Sequence, residues 1–217
     1  MEPSIQDKVR ILKVRTASLS LLALCLMALP ALADIYDNGP INGTTDAWTV
    51  NFGFVVSDSF TVGSGGATVN GLAFGAWLFP GDVLLAAEVS ITDSEFGGTT
   101  FFDGVVDFTQ SNCVGNQYGF NVCTETSSPF GPVDLAAGTY WLNLENATVP
   151  TGDPLYWDEN SGPSQASENS VGTIPSESFT LLGSNGTTTG GTVPEPGGIM
   201  LFGAGILSLA TLRRKLF

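Results

Sequence analysis

Leu135-Ala136-Ala137-Gly138-Thr139-Tyr140-Trp141-Leu142 is the stretch that decides the fold. A turn of small residues ending at Gly138 feeds a run rich in aromatic and apolar side chains. Tyr140, Leu142 and Leu144 fall on one face and Trp141 on the other. Period two behind a glycine turn predicts a half-buried strand.

The same grammar repeats on either side. Ala47 to Val56 alternates, with Trp48, Val50, Phe52, Phe54 and Val56 on one face, and predicts one strand that Ser57-Asp58 breaks before Phe60-Thr61-Val62. Gly63-Ser64-Gly65-Gly66 reads as a turn into a long strand over Ala67 to Phe79. There Leu72, Phe74, Ala76 and Leu78 face inward, Trp77 faces outward, and Gly75 marks a close backbone approach. Past the Pro80-Gly81-Asp82 turn, Val83, Leu85, Ala87, Val89 and Ile91 form another inward face. Asp93 to Gly98 reads as a loop, Thr99 to Thr109 and Tyr118 to Thr124 as strands, and Leu155 to Trp157 as a short strand. Ser161 to Pro175 reads as irregular, and Glu177 to Leu182 closes the domain. The whole predicts an all-β, antiparallel β-sandwich of eight to ten strands, jelly-roll-like, with an immunoglobulin-like sandwich as the second choice.

Charge is distributed unevenly along the 217 residues. All seven cations, Lys8, Arg10, Lys13, Arg15, Arg213, Arg214 and Lys215, lie near the two ends, and the chain has no His. Of 21 acids, Glu2 and Asp7 lie before Asp34, which leaves 19 in a stretch from Asp34 to Leu212 that has no basic side chain. Phosphate binding needs cations, so nucleic acid is excluded as a partner. Without His or Lys the usual nucleophile-and-base pairs are missing, and the expectation is a protein that is not an enzyme. Carboxylate-only glycoside hydrolysis is the surviving catalytic alternative, with Glu88, Glu145 and Glu177 as its candidates.

Both ends carry address signals. Basic residues 8–15, the apolar run Ala17 to Leu29 and the small-x-small pattern Ala31-Leu32-Ala33 read as a signal peptide over 1–33, handled by the Sec machinery and cut by signal peptidase before Asp34. The far end, 193–217, has three parts. Pro194-Glu195-Pro196 precedes an uncharged apolar run, Gly197 to Leu212, and then Arg213, Arg214 and Lys215. As helix that run reaches ~24 Å, short of a ~30 Å hydrocarbon core but serviceable with local thinning. The basic cluster belongs on the cytoplasmic side.

The tail resembles the PEP-CTERM sorting signal of Gram-negative bacteria, in which Pro-Glu-Pro, an apolar helix and a terminal basic cluster are recognised by an exosortase. The resemblance covers 193–217 only. It implies an exosortase-type membrane protease as partner, transient anchoring in the inner membrane, and delivery to the cell surface or extracellular matrix. It also implies a role beside exopolysaccharide. Between the tail and the sandwich domain at 34–182 lies a Gly/Thr-rich linker at 183–192.

Three further sites can be read from the residues. Cys113 and Cys123, a pair in an exported segment, predict a disulfide worth about 2–3 kcal/mol. Trp77, Trp141 and Trp157 are candidate sugar platforms, the carbohydrate-binding alternative for function. No cofactor is expected, with a structural calcium the exception to test. Tyr36-Asp37-Asn38-Gly39-Pro40 and Trp157-Asp158-Glu159-Asn160-Ser161-Gly162-Pro163 are alike. If the first and last strands pair, Asp37, Asn38, Asp158, Glu159 and Asn160 come together as oxygen ligands.

Overall fold

The computed structural model describes residues 33–186. Apart from Ala33 and residues 183–186, the signal peptide, linker and tail lie outside the described residues. Fourteen strands form the fold: β1 (Ala33–Asp37), β2 (Ala47–Thr49), β3 (Val56–Val62), β4 (Ala67–Leu78), β5 (Ala86–Ser94), β6 (Gly97–Gly115), β7 (Asn121–Ser127), β8 (Val133–Leu135), β9 (Gly138–Thr148), β10 (Tyr156–Asn160), β11 (Ala166–Glu168), β12 (Gly172–Ile174), β13 (Ser176–Glu177) and β14 (Phe179–Asn185). Every pairing is antiparallel, in the order β1-β14-β4-β7-β6-β5-β9-β3-β11-β12, and the sheet curls as a half-barrel. No helix occurs among the described residues.

The long strand β6 makes the curl. Its first part pairs with β5 as far as Asp107, and from Phe108 onward it pairs with β7. One strand thus belongs to both walls. The inward faces meet across the core, where Phe60 of β3 lies edge-on to Phe179 of β14 at 6.5 Å and Phe74 of β4 edge-on to Phe108 of β6 at 5.3 Å. Val89, Ile91, Leu142 and Leu144 are fully buried on one wall, and Leu72, Leu78 and Leu181 on the other. Each such side chain stabilises the fold by roughly 1.5–3 kcal/mol relative to exposure.

The opening stretch behaves as read. Val133–Leu135 and Gly138–Thr148 are strands, and Tyr140, Leu142 and Leu144 are buried. Tyr140 turns its hydroxyl back to the Ala136 carbonyl at 3.1 Å, which closes the glycine turn.

Five expectations are corrected. Ala47 to Val56 is not one strand. The chain turns at Asn51-Phe52-Gly53, with φ +59° at Phe52 and +88° at Gly53, and Phe54 N–H returns to Asn51 O. Phe52 and Phe54 are therefore exposed, although the alternation placed them inside. Ser57-Asp58 does not break a strand; both are buried within β3. Val83 and Leu85 are exposed and Leu84 is buried, because the inward register begins only with β5. Ser161 to Pro175 holds β11 and β12, which extend the β3 wall, and the Asp93–Gly98 loop shrinks to a tight turn at Glu95-Phe96.

Candidate functional site

β1 pairs with β14, so the two similar segments do meet. Asn160 Nδ2 donates to the carbonyls of Asn38 and Pro40 at 2.8 and 3.3 Å. Asn38 is fully buried. Its amide donates to Asp58 Oδ2 at 3.0 Å and Glu177 O at 2.7 Å, with the Ser164 and Ser176 hydroxyls at 2.6 and 2.9 Å. Its Oδ1 accepts from Tyr36. One amide thereby ties β1, β3 and β13 together.

Asp158 has a similar role on β10. Oδ1 accepts from Gly43 N–H at 2.7 Å and Trp77 Nε1 at 2.6 Å. Oδ2 accepts from Asn42 N–H at 2.6 Å and the Ser178 hydroxyl at 3.2 Å. Four donors fill a carboxylate's lone-pair sites. Asp158 holds the 41–44 segment down, and it has no site left for a cation. Two members of the ligand set expected for calcium already have partners of their own or lie outside this layer. Asp158 is spent on these donors, and Asp37 is exposed and bonds only to its own turn at Gly39 N–H. Glu159 accepts from Trp48 Nε1. Among the described residues no group of three or more acids or thiols converges at metal spacing.

Behind this layer lie two acids that the sequence offers in other roles, Glu177 as a glycosidase carboxylate and Asp58 as part of a strand break, and both are fully buried. Glu177 is fully buried, lies opposite Glu159 in the β13–β10 pair, and receives no hydrogen bond on either carboxylate oxygen. Burial, followed by the charges of Asp58, Glu159, Asp158 and Asp46, holds its carboxyl well above the usual range. Asp58 is pushed up to about 6 by burial, against the pull of donors from Glu177 N–H, Ser164, Ser59 N–H and Asn38. A buried acid without a donor or a cation takes a proton instead. Glu125 on β7 is a separate case of the same kind. It shares register with Phe74 and Gln110, is fully buried with both oxygens without a partner, and is pushed up to about 7 by burial.

The tryptophans divide. Trp157 is fully buried between Phe74 and Phe179, and its Nε1 donates to Ser178 O at 2.8 Å. Trp77 is covered by Tyr118, stacked at 5.6 Å, and by Phe120. Neither offers a free ring face. Trp141 alone of the three is half-exposed. It lies on the outer face of β9 with Asn143, whose amide bonds the hydroxyls of Ser90 and Thr92. Farther along that face Glu88 stands opposite Glu145, and both accept from Asn146 Nδ2, at 2.8 and 3.3 Å. Burial, then Glu88 and Asp103, raises the Glu145 carboxyl.

A groove also went unread in the sequence. Its volume is about 480 Å³, and it runs between the 41–44 segment and the tip of the β6–β7 hairpin. The expected Cys113–Cys123 disulfide is present and ties this hairpin across its two strands. Nothing in the local pattern marks the groove, because its walls come from segments about 70 residues apart, joined by Tyr118 hydroxyl to Thr44 O at 3.2 Å.

The described residues thus define an acid-rich, all-β domain held by buried polar side chains in place of ion pairs. Residues 192–215 match the PEP-CTERM protein-sorting motif, so this domain precedes a signal that directs export and processing by exosortase, a membrane protein. Comparison with curated proteins finds no match.

Proposed function

We propose that the mature protein is a non-enzymatic component of the cell surface or extracellular matrix of a Gram-negative bacterium, released from the inner membrane by exosortase and associated there with exopolysaccharide. The carrying observation is the sorting motif at 192–215, set behind a Gly/Thr-rich segment and an acidic domain. The curled sheet is read as a jelly-roll-like sandwich, a rigid module suited to display. Mass spectrometry of the surface-associated protein tests the export reading. The expected form starts at Asp34 and lacks everything beyond the Pro-Glu-Pro region, and Glu195→Ala holds the precursor in the inner membrane. An intact Arg213-Arg214-Lys215 end on the surface protein makes the tail a plain anchor and ends this reading.

Carbohydrate binding is the second reading, favoured by the uncharged groove beside the β6–β7 hairpin. Glycoside hydrolysis by Glu88 and Glu145 ranks below it, since both sit on a partly exposed strand face and share one amide. Release of reducing ends from a polysaccharide panel would reverse that ranking.

A further inference from the structure

We propose that the groove between the 41–44 segment and the β6–β7 hairpin binds an uncharged glycan chain, with Tyr118 as its stacking platform. The proposal rests on the carbohydrate reading above and gives it a place and a ligand class. Its first support is charge. The chain carries 19 acids and no basic side chain between Asp34 and Leu212, yet no residue lining the groove is ionisable, Cys123 being held in the disulfide. An anionic polysaccharide meets a repulsive field and no counter-charge there. A cation finds carboxylates elsewhere and none in the groove.

The lining matches a sugar ring group by group. Asn42, Thr44, Asn116 and Gln117 supply amides and hydroxyls for ring hydroxyls, and Val114 and Val122 supply apolar surface for the C–H faces. The volume of about 480 Å³ falls within the ~300–1,000 Å³ of small-molecule sites and accommodates a short run of rings. Asn116 is held in place. Its Oδ1 accepts from Tyr118 N–H and Phe120 N–H, both at 3.0 Å, and its Nδ2 has no partner.

Tyr118 is already set for stacking. One ring face lies on Trp77 at 5.6 Å and 20°, its hydroxyl is fixed to the carbonyl of the lining residue Thr44, and the residue, 53 % exposed, directly follows the lining residues Asn116 and Gln117. A ring held on one face and open on the other stacks on a sugar at little ordering cost. Trp77, beneath it, is anchored by Asp158. The buried polar layer and the groove are therefore mechanically one unit.

The exported protein is titrated with hexasaccharides of glucose and of N-acetylglucosamine and with a galacturonate hexasaccharide, read by tryptophan fluorescence and calorimetry. A neutral hexasaccharide is expected to bind and to shift the emission, and the galacturonate oligomer is not. Tyr118→Ala weakens binding about tenfold or more. Gln117→Ala weakens it less, and its urea midpoint, like that of Tyr118→Ala, stays near that of the parent protein. The groove assignment is overturned if no neutral oligomer binds, if the galacturonate oligomer binds as well or better, or if Tyr118→Ala binds as tightly as the parent. Surface delivery of Tyr118→Ala in the same cells would leave the export reading standing while the groove assignment falls.

Discussion

Replacing Glu125 by Gln should change how the domain's stability depends on pH. The side chain points from β7 into the core beside Phe74, with neither oxygen bonded and its carboxyl pushed up to about 7 from an ordinary 4.5. Below pH 4.5 the carboxyl is protonated in both the folded and the unfolded chain, and its contribution is fully retained. As pH rises, the unfolded chain ionises first, so stability is lost until the folded form ionises near pH 7. At ~1.36 kcal/mol per pH unit, the rise from 4.5 to about 7 removes about 3 kcal/mol. Gln has the same shape and does not titrate. Urea unfolding of the oxidised protein, at intervals from pH 4 to pH 8.5, gives the free energy of each form. The gap between Glu125→Gln and the parent should swing by about 3 kcal/mol in favour of the variant across that window. Whatever the new amide costs at pH 4 cancels from the swing. Parallel pH profiles for the two proteins would refute the argument that a buried carboxyl is stored here as the neutral acid.

Three further outcomes follow from the buried layer and the hairpin. Asp158→Ala strips the acceptor from Gly43, Asn42, Trp77 and Ser178 and should cost about 3 kcal/mol or more, seen as a large fall in melting temperature; a change below about 1 kcal/mol would show that the 41–44 segment is held by something else. Glu177→Gln should gain on the parent in stability as pH rises above the ordinary carboxylate range and should lose that advantage in acid, because the raised Glu177 carboxyl destabilises the fold as pH rises; EDTA should leave both melting temperatures unchanged, and a calcium-dependent rise lost in Glu177→Gln would mean that a cation, and not a proton, neutralises this acid. The double substitution Cys113→Ser with Cys123→Ser should cost about 2–3 kcal/mol in urea unfolding, and an unchanged midpoint would place the hairpin outside the cooperative unit.

How much of this was legible depended on how local the cause was. The strand after Gly138 could be read because its turn and its inward face are both written within ten residues. The Trp48–Phe54 alternation misled because period two says nothing of φ. Asn51 leaves the strand by bonding Asp153 O and Leu155 N–H, over a hundred residues away. Ser57-Asp58 looked like a break for the same reason, since an acid in a strand is tolerable only if distant partners bury it. Here they are Asn38 and Glu177 N–H, 20 and 119 positions away. That the two Asn-containing segments meet was legible only on the condition that the end strands pair, and the use of each oxygen was not legible at all. Trp77 is placed outward by strand parity and Trp157 beside an acidic turn, and neither local pattern can see Tyr118 or Phe179 arriving from elsewhere to cover them.

The position of β14 bears on how the domain would carry load. The chain leaves the domain from this strand toward the linker, and β14 is not at the sheet's margin: β1 flanks it through Ala33 to Asp37 and β4 through Ala67 to Phe74. A pull on that exit acts along the axis of β14 and must shear two ladders together, whereas a margin strand would peel one bond at a time. β4 in turn pairs with β7, whose Val122, Cys123 and Thr124 form a wall of the groove. Tension between this exit and the β7 wall of the groove would cross the interfaces from β14 to β4 and from β4 to β7, both loaded lengthwise. Such a path gives a coupling that resists drag, as fits a protein that works outside the cell.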